Sequence, residues 1–339
     1  MKKFSKKILS PLLCILLLLS SVATGCSGSK KNSETLVLNE VAHSVFYAPL
    51  YVAMEEGYFQ EEGLDIELIC GFGADKTMTA LLSGEADLGL LGPEATIYTN
   101  AGGLEDPVVN IAQLTKRAGN FLIAREEMPN FAWSDLAGKN VLGGRKGGMP
   151  QMVFEYILQK NNLNPASDLT IDQSIDFGST AAAFSSGKGD FTVEFEPAAT
   201  SLENMGEDYH VVASLGVDSG YVPYTTFAAK ESFMKQNPAK IQKFVNALSK
   251  GMEYVDTHTP EEIAKIIKPQ FKETDLDSLT TIVERYHSQD SWNSSLRFEE
   301  DSFKLLVDIL ANANELPDAN LSYEDIVNNQ FVDTIPQTQ

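Results

Sequence analysis

From Thr35 to Ala229 the chain alternates short β-branched runs with segments whose apolar residues recur every three or four positions, and this alternation restricts the fold more than any other feature. Strands are expected over residues 35–39, 65–69, 88–91, 108–114, 121–124, 140–143, 190–193, 211–214 and 225–229. Between them Leu50, Ala53 and Met54, then Met78, Leu81 and Leu82, then Met152, Val153, Tyr156 and Ile157 mark helical faces. Strand, helix and strand in succession make βαβ units, so the expected architecture is α/β with mainly parallel sheets. After Asn237 the pattern becomes almost wholly helical. Pro238 and Pro260 open helices there, and Glu261 and Glu262 sit in a first turn, where acidic side chains suit the helix dipole.

The first 26 residues read as an export signal. Lys2, Lys3, Lys6 and Lys7 precede an apolar run from Ile8 to Val22, which falls short of the roughly 20 apolar residues that span a bilayer. Ala23-Thr24-Gly25-Cys26 resembles a bacterial lipobox, with Ala23 standing where Leu is usual. The expectation is a signal peptide over residues 1–25, lipid on Cys26, and a polar leash over residues 26–34 that ties the protein to the outer face of the cytoplasmic membrane. Cys14 leaves with the signal, so Cys70 is the one remaining thiol. A single thiol and four histidines make neither a disulfide nor a zinc site, and stability must come from an apolar core. The net charge of −21 falls to −25 once the four signal lysines are removed. That argues against nucleic acid as a partner and suits an exported monomer.

Residues suited to binding fall at strand-to-helix turns, where open α/β sheets hold their ligands. After the first strand, His43, Ser44, Phe46 and Tyr47 bring polar tips and aromatic faces to a helix entrance, or form a packed loop. Gly71-Phe72-Gly73 opens a helix through Thr77, and its free amides suit an anion or a carbonyl oxygen. Gly92-Pro93-Glu94 opens another; Glu94 either caps that helix or enters a cleft. Gly143, Gly144, Gly147 and Gly148 fall within six residues around Arg145 and Lys146 and lead into Met149. They permit close backbone approach, but the spacing is neither a phosphate loop nor a dinucleotide fingerprint. Glu194 and Glu196 end a strand before Pro197; a carboxylate there satisfies helix amides or accepts from an amine. Tyr221 and Tyr224 flank Pro223 in a stiff crossing. No metalloprotease helix and no nucleophile elbow is present, so no catalytic residue and no cofactor are expected.

Tyr47-Ala48-Pro49, Glu56-Gly57-Tyr58-Phe59, Glu62-Gly63-Leu64-Asp65 and Leu82-Ser83-Gly84-Glu85-Ala86-Asp87 together resemble the SsuA/THI5-like (NMT1-type) substrate-binding proteins of ABC importers. The resemblance runs over residues 35–310. It implies a type II periplasmic-binding-protein fold, with one lobe from residues 35–117 and 226–339 and a second from residues 118–225. Two crossings, at 117–120 and 222–226, join them. It further implies a hinge that closes on a small solute, and permease and ATPase partners. The family's ligand-facing segments correspond to His43, Ser44 and Phe46, to Gly73 through Thr77, to Gly92 and Glu94, to Gly144, Lys146, Gly147, Gly148 and Met149, and to Glu194 and Glu196. The Trp usual in the first turn of the pyrimidine-precursor branch is missing. The Cys-rich iron motif of the enzymatic branch, which builds a pyrimidine, is also missing, so binding without turnover is expected. Glu94, Glu194, Glu196, Tyr47, Tyr221 and Tyr224 favour a flat amine-bearing heterocycle. Arg145, Lys146 and the glycine-rich helix start favour a sulfonate or carboxylate instead. An exported enzyme and a surface adhesin are the readings from other classes.

Overall fold

The computed structural model describes residues 33–175 and 178–335. The expected signal, the cysteine expected to carry lipid and most of the expected leash lie outside the described residues. Among the described residues ten strands form: β1 (Glu34–Glu40), β2 (Leu64–Cys70), β3 (Leu88–Leu91), β4 (Val108–Thr115), β5 (Asn120–Ala124), β6 (Asn140–Leu142), β7 (Thr170–Asp172), β8 (Phe191–Phe195), β9 (His210–Ser214) and β10 (Thr225–Lys230). They make two five-stranded sheets, in the orders β2-β1-β3-β10-β4 and β7-β6-β8-β5-β9. Each sheet carries its own helices, which gives the two α/β lobes of a periplasmic-binding-protein fold.

The sheets are mixed rather than mainly parallel. β1 runs parallel to β2 and β3, and β6 runs parallel to β7 and β8. β10 and β5 are antiparallel to both of their neighbours. Each is the first strand laid down after the chain changes lobe. It therefore enters its sheet without a right-handed crossover helix and is free to run the other way. Every residue of β3, β4 and β5 is buried. That is why β3 and residues 121–124 of β5 read as apolar runs without alternation, while β4 buries Asn110, Gln113 and Thr115 along with its apolar residues.

Helix Ala48–Glu55 lies against the 20-residue helix Pro238–Thr257. The approach is so close at Gly251 that a Cβ there would sit 2.2 Å from the Pro49 carbonyl oxygen. Only glycine lets the two helices meet, and the contact fixes the entrance of the first helix, where Tyr47 stands.

The chain passes between lobes at 116–119 and again at 220–224. The two passages are stitched together: the Val222 amide donates to the Lys116 carbonyl at 2.9 Å and the Tyr224 amide to the Thr115 carbonyl at 3.2 Å. A third tie comes from the C-terminal helix Leu276–Ser288 and its exit. Arg285 reaches Glu196 at 2.6 Å and Glu203 at 2.7 Å. Tyr286 Oη donates to the carbonyl of Gly119 in the first passage at 2.9 Å, while Trp292 Nε1, bonded to the Phe46 carbonyl at 2.9 Å, holds the helix exit to the first lobe.

Candidate functional site

Three helix starts converge on one cavity. Gly73 precedes helix Ala74–Ser83, Pro93 precedes helix Glu94–Ala101, and Gly148 precedes helix Met149–Lys160. The first two helices follow strands of the first sheet and the third follows β6 of the second, so the cavity is built by both lobes. It holds about 540 Å³ of empty space, mouth included. Tyr47, Phe195 and Tyr224 form its aromatic walls, with Val41, Met149 and Pro150 beside them.

Glu94 is the chemical centre of this cavity. It is 2 % exposed. Its side chain folds back over Gly92, where a Cβ would lie 2.1 Å from Oε2. That contact explains why glycine stands two residues before it. Oε2 is buried and has no hydrogen-bond partner. Burial pushes the Glu94 carboxyl up to about 7, against the pull of the amides of Glu94 itself, Met149 and Ala95 and of the Arg145 charge. Met149 belongs to the other lobe, so this carboxylate already draws on helix starts from both sides. Helix N-termini attract anions; here an internal anion holds that place, and what it offers to the cavity is an acceptor.

Arg145 lines the mouth. Its side chain is 45 % exposed, and Asp75 lies 3.9 Å away, within ion-pair range but too far for a hydrogen bond. Tyr47 is buried, and burial followed by the Glu40 charge lifts its phenol above the usual range. Tyr224 is buried with its hydroxyl on Asn120 Oδ1. Phe46 stands behind these walls, its ring 5.8 Å from Phe195 and 5.7 Å from Tyr224.

Of the residues singled out from sequence, Tyr47, Gly73, Gly92, Glu94, Arg145, Gly148, Met149 and Tyr224 line the cavity. The others lie elsewhere. His43 Nδ1 is 2.7 Å from Glu40 Oε1, and Nε2 is 3.0 Å from the Gln270 carbonyl. Burial pulls its imidazole down, and the bond and charge of Glu40 outweigh that, so the net shift is upward. Ser44 Oγ donates to the Glu196 carbonyl at 2.6 Å, joining the lobes behind the cavity. Phe46 is core. Thr77 Oγ1 donates to Asn39 Oδ1 at 2.7 Å. Gly144 turns the chain at φ +87°, and Gly147 is bonded by Gln151 and Tyr98. Lys146 faces outward toward Glu315, 3.6 Å away.

Glu194 has both carboxylate oxygens taken, by Thr192 Oγ1 at 2.6 Å and Thr180 Oγ1 at 3.0 Å. Burial raises it to about 7, with those two hydroxyls opposing. Glu196 is held by Arg285 and Thr200, and burial raises it as well. Tyr221 lies on the surface, its hydroxyl on Asp290 at 2.8 Å and the Arg117 guanidinium 4.2 Å from its ring centre.

Sequence reasoning left out Val41, Pro150, Phe195 and Thr225 as lining residues. Phe195 was legible. Successive strand residues face opposite ways, so if Glu194 faces the helix at Thr180, its neighbour must face the cavity.

A family model described as NMT1/THI5 like matches residues 45–263. The candidate binding protein YtlA of Bacillus subtilis (strain 168) is 45 % identical over 308 residues, which are 90 % of this chain and 92 % of that protein. The formylaminopyrimidine-binding protein of Halalkalibacterium halodurans is 26 % identical over 84 % of this chain and 87 % of its own. Among solved structures, the alkanesulfonate-binding protein SsuA from Xanthomonas axonopodis pv. citri, bound to MOPS, superposes with a TM-score of 0.69 at 16 % identity, over 86 % of this chain and 97 % of that one.

Proposed function

The chain belongs to the NMT1/THI5-like family, and from that we propose that it is the extracytoplasmic solute-binding component of an ABC importer, taking a small heterocycle that bears an amine or ring N–H. It binds the solute between lobe one (residues 35–117 and 226–339) and lobe two (residues 118–225) and delivers it unchanged to the permease. Lipid on Cys26 and the leash of residues 26–34 keep it at the membrane after the signal of residues 1–25 is removed.

The observation that carries the ligand class is the unpartnered, buried Oε2 of Glu94 inside an aromatic-walled cavity. A buried carboxylate oxygen without a donor is costly, and a ligand N–H removes that cost. A bare nitrate or sulfonate would meet a like charge at the place where the helix dipoles would otherwise favour it. The name of the pyrimidine-binding relative agrees with this preference. The second reading, an alkanesulfonate or taurine, is favoured by Arg145 alone. Binding without turnover is supported by the relatives named as binding proteins, YtlA and the formylaminopyrimidine-binding protein.

The test is a thermal-shift panel of aminopyrimidine thiamine precursors, flavins, taurine, alkanesulfonates and nitrate. A binder at a hundredfold excess over its Kd should add about 2.7 kcal/mol to stability. Stabilisation by an aminopyrimidine supports the proposal. Stabilisation by sulfonates alone, or conversion of any ligand into a product, overturns it.

A further inference from the structure

Two opposite demands meet in the cavity. Glu94 presents an acceptor at the inner wall and Arg145 presents a fork of donors at the mouth. The two do not pair: the acid within ion-pair distance of Arg145 is Asp75, on the rim at 3.9 Å and itself more than half exposed. At that distance no guanidinium hydrogen bond is satisfied. Arg145 is nevertheless close enough for its charge to act on Glu94. Tyr47, Phe195 and Tyr224 line the same cavity, surfaces suited to the faces of a flat ring.

We propose that the ligand is bipolar: an aromatic ring with an N–H edge for Glu94 and, on the same ring, a carbonyl or carboxylate oxygen that reaches Arg145. This rests on the ligand class proposed above and adds its second pole. The sequence features that favour an amine and those that favour an anion then describe two ends of one molecule, not two rival ligands. A ligand with only the N–H edge would leave the Arg145 fork facing solvent. One with only the oxygen would leave the Glu94 carboxylate buried against an apolar surface, which is the larger penalty. The order of affinity follows: both poles best, N–H alone next, oxygen alone last. A charge-assisted hydrogen bond contributes about 1.5–3 kcal/mol, so the oxygen pole should be worth about tenfold or more in Kd.

The test is isothermal titration of the mature chain with 4-aminopyrimidine, 4-aminopyrimidine-5-carboxylate and benzoate, in the wild type and in Arg145→Gln. The carboxylate-bearing aminopyrimidine should bind the wild type at least tenfold tighter than 4-aminopyrimidine, with benzoate weakest. In R145Q the ratio between the two aminopyrimidines should collapse toward one, while a melting curve checks that the variant is folded. A wild-type ratio near one, or a ratio that survives R145Q, overturns the second pole and leaves the Glu94 reading standing. Benzoate binding as tightly as the aminopyrimidine carboxylate, or no heat from any probe up to millimolar concentration, overturns both.

Discussion

Replacing Glu94 with Gln should make the empty protein more stable while removing its ligand. The carboxyl sits at about 7 in the folded protein against an ordinary 4.5, with burial as the main cause. The folded state therefore binds more protons than the unfolded state between those values, and stability falls as pH rises through the interval. Converted at 1.36 kcal/mol per pH unit, the burden is about 3 kcal/mol, absent below pH 4.5 and complete above pH 7. Gln carries no charge and escapes it, although its amide nitrogen takes the place of the unpartnered Oε2 and costs about 1 kcal/mol. At pH 8 the variant should gain about 2 kcal/mol, or about 4 °C in Tm for a chain of this size. At pH 4 it should be level with the wild type or slightly below it. Melting curves of both proteins without ligand at pH 4, 5.5, 7 and 8 measure the difference directly. Groups that titrate alike in both proteins, Glu194 included, cancel. Parallel curves across that range would refute the reasoning, because they would mean that Glu94 carries no burial penalty and is not an exposed want in the cavity.

Ligand affinity should rise with pH through about 7, as Glu94 gains the charge that accepts the N–H, and titrations at pH 5.5 and 8 should differ severalfold; a flat profile would take Glu94 out of the contact. Glu194→Gln should leave affinity within about twofold and raise stability at pH 8, since its carboxylate faces Thr180 and Thr192 and not the cavity; a selective loss of ligand binding would return it to the site. Arg285→Met should cost about 3 kcal/mol in urea unfolding, because it leaves the Glu196 carboxylate buried without its ion partner. A cost under about 1 kcal/mol would mean that Glu196 simply takes up a proton.

Most strands were legible because buried apolar runs between turn residues leave few alternatives. β7 was not: it has three residues, lies at a sheet edge and has no buried side chain, so Ile171 stands alone and makes no apolar run. The reversal of β10 and β5 was invisible as well, since direction is set by the route of the chain and not by the residues of the strand. At the site, Glu94 and Tyr224 were found because a helix start and a stiff crossing are marked by Gly92-Pro93 and Pro223. Arg145 and Lys146 are adjacent and chemically alike, and only the turn at Gly144 and Gly147 decides that the first enters the mouth while the second faces Glu315. Glu194 and Phe195 differ by one position in a strand, and that single step exchanges a wall of the cavity for a contact with two threonines.

The link from the helix Leu276–Ser288 to the second lobe has a mechanical consequence. Two crossing segments alone form a door on a pair of pins, free to swing widely. A third attachment, off the line of the other two, restrains that swing as a chain restrains a door. An opening of the two lobes would have to stay narrow or drag this helix along.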